Sequence, residues 1–307
     1  MAFSRLAHQR VTQTVGLFEH SSSMQIKIPK LAKVQDKMAK TKLTYDKFKN
    51  GVPYLSFGKG GKTLLFLIGG PGNSLPTGNA TLGFTRGMQA FEKKYTIYLV
   101  SRKSGLPDGY STKNMSDDYA ELIRDHFGGF VDLMIGFSFG GLIMQHFAAD
   151  HSELCGHIVI GGAAHKVSEE AKNIDFNYAE LISQRKDRAA MAQRAGAIFP
   201  KGIPKYLLSA VLWFFGKPLL GTLSDTFRKD VVIEATAELT HDSIDSLKRI
   251  KIPVLIVCGK DDFAFPLNAV KEMAGMITNS ILKIYERGHS TVFLDKQFVI
   301  DVNEFTN

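Results

Sequence analysis

Residues 131–147 read Val-Asp-Leu-Met-Ile-Gly-Phe-Ser-Phe-Gly-Gly-Leu-Ile-Met-Gln-His-Phe, with Gly136, Ser138, Gly140 and Gly141 at the centre. A short apolar run ends at Gly136, and apolar residues at helical spacing resume at Leu142. The five residues Gly136 to Gly140 form a G-x-S-x-G. Where a strand turns sharply into a helix, the serine at the apex has a strained backbone and an exposed hydroxyl. Gly136 and Gly140 remove the Cβ atoms that would clash as strand and helix approach, and Gly141 lets the helix sit close to the sheet. The helix start places Ser138 in a positive partial field and offers the Phe139 N–H to a developing anion. Such a pentapeptide alone also fits a turn with a solvated serine, so the remaining chain must supply a base, an acid and a second donor.

Composition allows for that chemistry. The 307 residues suit an α/β domain carrying an insertion, and 44% hydrophobic with 22% charged residues mark a globular protein with a large core. Cys155 and Cys258 lie in or beside apolar runs and read as buried free thiols in a reducing compartment. Neither a C-x-x-C nor a histidine cluster suggests a metal, and no cofactor is expected. The net charge of +8 is concentrated at one end: residues 1–50 hold ten Lys or Arg against three acids. The body is nearly neutral, which argues against a nucleic-acid partner.

Residues 1–40 read as a basic leader without the apolar core of a signal peptide. A disordered extension, or an upstream start with Met24 or Met38 as the working one, implies a cytoplasmic protein. A mitochondrial-type targeting peptide over residues 1–23 is the alternative. Residues 24–40 have the composition of a basic amphipathic helix.

Residues 43–48 and 52–57 flank Asn50-Gly51, a hairpin signal, and read as an antiparallel pair with Pro53 at an edge position. Thr63–Ile68 suits a central strand buried on both faces, and it ends in Gly69-Gly70-Pro71-Gly72. A short helix over 84–91, a strand over 95–100 and a helix capped by Ser116 follow. Further strands are expected at 131–135, 157–160, 252–258 and 281–285. Between the second and third of these the alternation of strand and helix stops. Helical patterns fill 174–195, 205–215 and 224–239, the last capped by Ser224. The organisation expected is a core of residues 41–162 and 250–307 interrupted by a helical insertion at 163–249.

Open parallel sheets carry their sites at the C-terminal ends of strands. After 252–258 comes Gly259-Lys-Asp261-Asp262-Phe-Ala-Phe-Pro266; after 281–285 comes Glu286-Arg-Gly288-His289. A serine hydroxyl needs a base to take its proton, and imidazole titrates near neutrality. A carboxylate on the other ring nitrogen fixes the tautomer. Of nine histidines, His289 alone combines a strand end, a preceding glycine and a following helix. Asp262 is preferred over Asp261, which reads as a turn residue. The Gly69–Gly72 loop can supply the Gly70 N–H as second donor beside Phe139; a plain turn or a phosphate cradle are its other readings, the latter lacking a following G-K-[ST].

With these residues in place the sequence resembles the α/β-hydrolase superfamily across about residues 43–307. The resemblance is carried by Gly69-Gly70-Pro71-Gly72, Gly136-Phe-Ser138-Phe-Gly140-Gly141, the run from Ile252 to Asp262 with Pro266, and Gly288-His289. It implies an α/β-hydrolase fold: an eight-stranded, mostly parallel sheet, helices on both faces and a helical cap inserted after the sixth strand. It also implies Ser138 as nucleophile, Asp262 as acid and His289 as base. The Gly-Gly-Pro-Gly loop is similar to that of proline iminopeptidases, which usually carry His where this chain has Ile68.

The function implied is a serine hydrolase cleaving a carboxylic ester of a small molecule through an acyl-enzyme. The alternatives are an amide, C–C bond or aminopeptidase-type hydrolase with the same residues, and a hydrolase-like receptor without useful turnover. Tyr206 to Phe215 is the most apolar part of the insertion, too short to span a bilayer. It reads as a cap helix packed on the core, with an apolar acyl pocket or a peripheral membrane contact as further readings.

Overall fold

Eight strands form a single sheet. In chain order they are β1 (Thr44–Lys47), β2 (Pro53–Gly58), β3 (Lys62–Leu67), β4 (Tyr95–Val100), β5 (Val131–Phe137), β6 (Cys155–Gly161), β7 (Val254–Gly259) and β8 (Ser280–Tyr285). The computed structural model describes residues 43–199, 202–221 and 223–307. The expected leader, residues 1–40, and its basic helix lie outside them. The sheet order is β1-β2-β4-β3-β5-β6-β7-β8. β1 pairs antiparallel with β2, and β2 antiparallel with β4; every other pairing is parallel. Pro53 is not on an edge strand, because β2 lies between β1 and β4. It is the first residue of β2, where a missing N–H costs the ladder least.

Successive residues of the central strands face opposite layers, which is why those strands read as unbroken apolar runs. Leu65, Leu67, Met134, Ile256 and Cys258 belong to one core, and Leu64, Phe66, Ile135, Leu255 and Val257 to the other. The first core is covered by α2 (Thr112–His126), α3 (Phe139–Asp150) and α10 (Leu267–Met276); the second by α1 (Gly78–Met88) and α11 (Lys296–Phe305). Helices thus lie on both faces of the sheet.

Between β6 and β7 no strand occurs among the described residues. That stretch carries α4 (Glu169–Ser183), α5 (Asp187–Gln193), the single turn α6 (Ala195–Ile198), α7 (Ile203–Phe215), α8 (Phe227–Leu239) and α9 (Ile244–Arg249). These helices have a small core of their own around Tyr178, Ile182, Met191, Leu212 and Phe227.

Four helix starts or stops differ from expectation, each for a local reason. α2 begins one turn earlier, because Ser111 and Asn114 form a reciprocal capping box; Ser116 lies inside the helix and donates to the Lys113 carbonyl. The apolar spacing of 174–195 is broken after Ser183. Arg185 takes a left-handed φ of 60°, its N–H donates to Ile182 O and that of Lys186 to Leu181 O, closing a Schellman motif. α8 starts at Phe227 after Thr226, not at Ser224, because the Thr226 hydroxyl turns to Asp230 at 2.6 Å. The helix expected at 84–91 starts at Gly78, six residues early, since three glycines dilute its apolar spacing.

Candidate active site

All parallel strands end on one side of the sheet, and the expected residues lie in the loops that leave those ends. Ser138 directly follows β5 and starts α3. Its backbone sits at φ 54° and ψ −119°, a conformation that L residues rarely adopt. The strain is held by the neighbours: Ser138 N–H donates to Gly161 O on β6, and its carbonyl accepts from Gly141 and Leu142 N–H. A Cβ on Gly136 would stand 2.5 Å from Gly140 O, one on Gly140 2.4 Å from Leu67 O, and one on Gly141 2.5 Å from Ala163 Cβ. The glycines therefore allow strand, turn and helix to interlock at backbone distance.

His289 opens a short 3-10 stretch (His289–Leu294) after β8. Its Nε2 lies 3.1 Å from Ser138 Oγ, and its Nδ1 lies 2.9 Å from Asp262 Oδ2. Asp262 Oδ1 accepts from the N–H groups of Ala264 and Phe265, both at 2.9 Å. A carboxylate so held keeps Oδ2 aimed at the ring and selects the tautomer with the proton on Nδ1, leaving Nε2 to accept from the serine. Asp261 is exposed and forms part of a turn. The imidazole sits among aromatic rings: Phe137 stacks on it at 5.0 Å, and Phe265 and Phe263 approach at 5.7 Å and 6.1 Å.

The Gly69–Gly72 loop passes against the serine, and a Cβ on Gly69 would fall 2.7 Å from Ser138 Cβ. Gly70 has φ +72°, which favours glycine. Among the described residues, the N–H groups of Gly70 and of Phe139 have no protein acceptor. What holds this loop is Arg102, at the end of β4. Its guanidinium donates to the carbonyls of Ile68 (3.1 Å), Gly70 (2.6 Å) and Gly72 (2.7 Å) and to Glu234 Oε2 on α8 (2.7 Å). Glu234 also accepts from Gly72 N–H. Arg102 is 2% exposed and Glu234 fully buried. Burial works against the Arg102 charge, but Glu234 outweighs it and the guanidinium is held above its ordinary value. The Phe139 ring lies 5.1 Å from the guanidinium. A second carboxylate of α8, Asp230, accepts from Asn73, Gly105 N–H, Leu106 N–H and Thr226, tying the loops after β3 and β4 to that helix.

The helices between β6 and β7 also reach the serine. Arg194, at the α5–α6 junction, brings its guanidinium over Gly70, where a Cβ would lie 2.9 Å from it. It pairs with Asp175 of α4 at 2.9 Å and stands 5.0 Å over the Tyr178 ring. The Asp175 carboxyl faces that of Glu238 on α8. Burial, then the Asp175 carboxyl, holds Glu238 well above the usual carboxylate range. Asp175 is raised by burial against the pull of Arg194 and His289. Ser290, beside His289, donates to Ala197 O of α6. A cavity of about 280 Å³ opens between Gly69, Gly72, Tyr178, Met191, Arg194 and Leu220. A larger hollow of about 490 Å³, near Tyr45, Asn73 and Leu223, touches neither Ser138 nor His289.

The structure thus brings together Ser138, His289, Asp262, Phe139 and the Gly70 loop. Arg102, Glu234, Arg194, Asp175 and Glu238 were not singled out from sequence. Only the fold makes them neighbours, although an arginine beside a strand end was a usable signal. Of the other described histidines, His146 bonds Ser246 and His241 bonds Thr112, with burial pushing His241 down to about 3. Cys155 and Cys258 are both free and buried. Among the described residues, no group of His, Cys, Asp and Glu could hold a metal ion.

This sheet order, with a serine on the turn after β5, is that of an α/β hydrolase. Residues 79–302 match the model of the alpha/beta hydrolase family, and the chain belongs to that family. It is 23% identical over 211 residues to the protein named "Putative carbamate hydrolase RutD" of Serratia proteamaculans, covering 64% of this chain and 72% of that one. Among solved structures, a hydrolase from Pseudomonas aeruginosa PA01 superposes with a TM-score of 0.65 at 19% identity, over 86% of this chain and 97% of that one. The enol-lactonase from Burkholderia xenovorans LB400 gives 0.64 at 18% identity, over 85% and 99%. Likenesses at these identities establish the fold and leave the substrate open.

Proposed function

We propose that the protein is a carboxylic-ester hydrolase acting through an acyl-enzyme on Ser138. The observation that carries this reading is the hydrogen-bonded chain from Ser138 Oγ through His289 to Asp262, facing two amide N–H groups without protein acceptors. As Ser138 Oγ attacks the ester carbonyl carbon, His289 Nε2 takes its proton. Asp262 stabilises the imidazolium. The Gly70 and Phe139 N–H groups receive the oxyanion, and the positive end of α3 adds to their field. His289 passes the proton to the leaving alkoxide as the tetrahedral intermediate collapses. Water then attacks the acyl carbon while giving a proton to His289, which returns it to Ser138. The chain of transfers is complete without a cofactor.

Residues 163–249 act in this reading as a cap over the serine, since α6 touches the His289 loop and Arg194 overhangs Gly70. Met191, Leu219 and Leu220 line the cavity beside the serine and favour an apolar acyl group there. A series of p-nitrophenyl esters of increasing acyl length tests this. Turnover should rise beyond acetate; a series with no preference for any longer chain contradicts an apolar acyl site.

One observation favours a second reading. Two carboxyl groups, Asp175 and Glu238, face the single guanidinium of Arg194 near His289, which leaves a carboxyl to meet an ammonium group on an amide substrate. Aminoacyl p-nitroanilides turned over faster than matched esters, with the advantage lost in Glu238→Gln, would replace the ester reading by this one.

A further inference from the structure

We infer that α7 is a docking surface for an anionic lipid bilayer. Helices of globular proteins turn their apolar stripe inward. α7 does the reverse. Ile203, Tyr206, Leu207, Ala210, Val211 and Phe214 follow one another at i, i+3, i+4, i+7, i+8 and i+11, and this whole stripe is exposed. Ile203 is 74% exposed, Tyr206 73% and Phe214 67%. Phe215, at the end of the helix, is 74% exposed, and Trp213 is 43% exposed. Leu212 is the one residue of α7 that is buried, packed with Met191 and Leu220. So large a contiguous apolar surface, rich in aromatic residues, is a contact surface and not ordinary scatter.

The charge around it selects the partner. From residue 188 to 224 the sequence contains five Lys or Arg and no acid, Arg194 among them being turned to Asp175. Arg185, Lys186, Arg188 and Lys217 surround Trp213 in a shallow hollow; the one acid there, Asp187, is held chiefly by Arg228 at 2.7 Å and more loosely by Lys217 at 3.8 Å, so the hollow stays net positive. An apolar face set in cations matches an anionic bilayer interface, where acyl chains receive the stripe and headgroups receive the basic residues. Tyr206 and Trp213 are the residue types that settle at the headgroup level. A helix of 13 residues can lie in that interface and not cross it. Among the described residues, no helix is long and apolar enough to span a membrane. Just behind α7, Leu219 and Leu220 line the cavity next to Gly69, so docking would bring the mouth of that cavity to the lipid.

The chain has one tryptophan, and it is Trp213. The full chain should be mixed with vesicles of phosphatidylcholine alone and of phosphatidylcholine with roughly 30% phosphatidylserine. Trp213 emission should shift to shorter wavelength and the protein should co-sediment with the anionic vesicles, less so as salt is raised. Phe214→Ser with Phe215→Ser should weaken binding by about tenfold or more, with unchanged circular dichroism, since both rings are exposed. Ser138→Ala should bind as the parent does, which keeps this result independent of the hydrolase reading. No emission shift and no co-sedimentation would overturn the inference. So would a shift that depends on protein concentration and ignores vesicles, because that describes a second copy of the chain on α7.

Discussion

Four acceptors converge on the guanidinium of Arg102: three loop carbonyls and Glu234. These bonds hold the Gly69–Gly72 loop in place against the serine turn. In Arg102→Met, the buried Glu234 carboxylate and the loop carbonyls would lose their partner. Such a loss costs about 3–5 kcal/mol, and urea unfolding should read it. Arg102→Lys keeps the charge but not the fork, so it should fold better yet turn over on the order of tenfold or more slower. Full activity in Arg102→Lys would show that the loop needs no such anchor. Sequence reasoning could find Ser138, Asp262 and His289 because each follows a strand end in a recognisable local pattern. It could not find the Arg102–Glu234 pair, whose members are 132 residues apart and joined only by the way α8 returns over the sheet.

At the scale of elements, sequence was most informative where burial alone decides. The strand at 95–100 and the helix at 267–276 fall where apolar spacing put them. It was least informative where side chains compete with the pattern, as at the Ser111–Asn114 box and at the break after Ser183. In that break Arg185 occupies a left-handed position normally given to glycine. Arg185→Gly should therefore raise stability by about 0.5–1 kcal/mol, seen as a higher urea midpoint with an unchanged slope. A lower midpoint would mean that the arginine side chain contributes more than its backbone costs.

Across the whole molecule, the sheet presents its strand ends on one side, and the helices between β6 and β7 bring acids and bases to that side. The pattern of strands predicted the sheet; the pairing of Asp175 with Glu238 and Arg194 needed tertiary structure. That cluster gives stability a pH dependence. Glu238 is raised above its unfolded value near 4.5. The folded state therefore holds a proton that the unfolded chain has released. Stability is fully present below about 4.5 and declines as pH rises through the raised folded value. Glu238→Gln should flatten this decline, gaining on the parent as pH rises. Thermal unfolding of both proteins across that range checks it, and parallel curves would count against a raised Glu238 carboxyl.

The central claim is that Ser138 is a nucleophile activated by His289, and a fluorophosphonate probe tests it most directly. The parent protein should be labelled, with the adduct on the peptide that contains Ser138. Ser138→Ala should not be labelled, and His289→Ala only far more slowly, while both keep the fold. Folded parent protein that resists the probe, or labelling that survives Ser138→Ala, would contradict the claim.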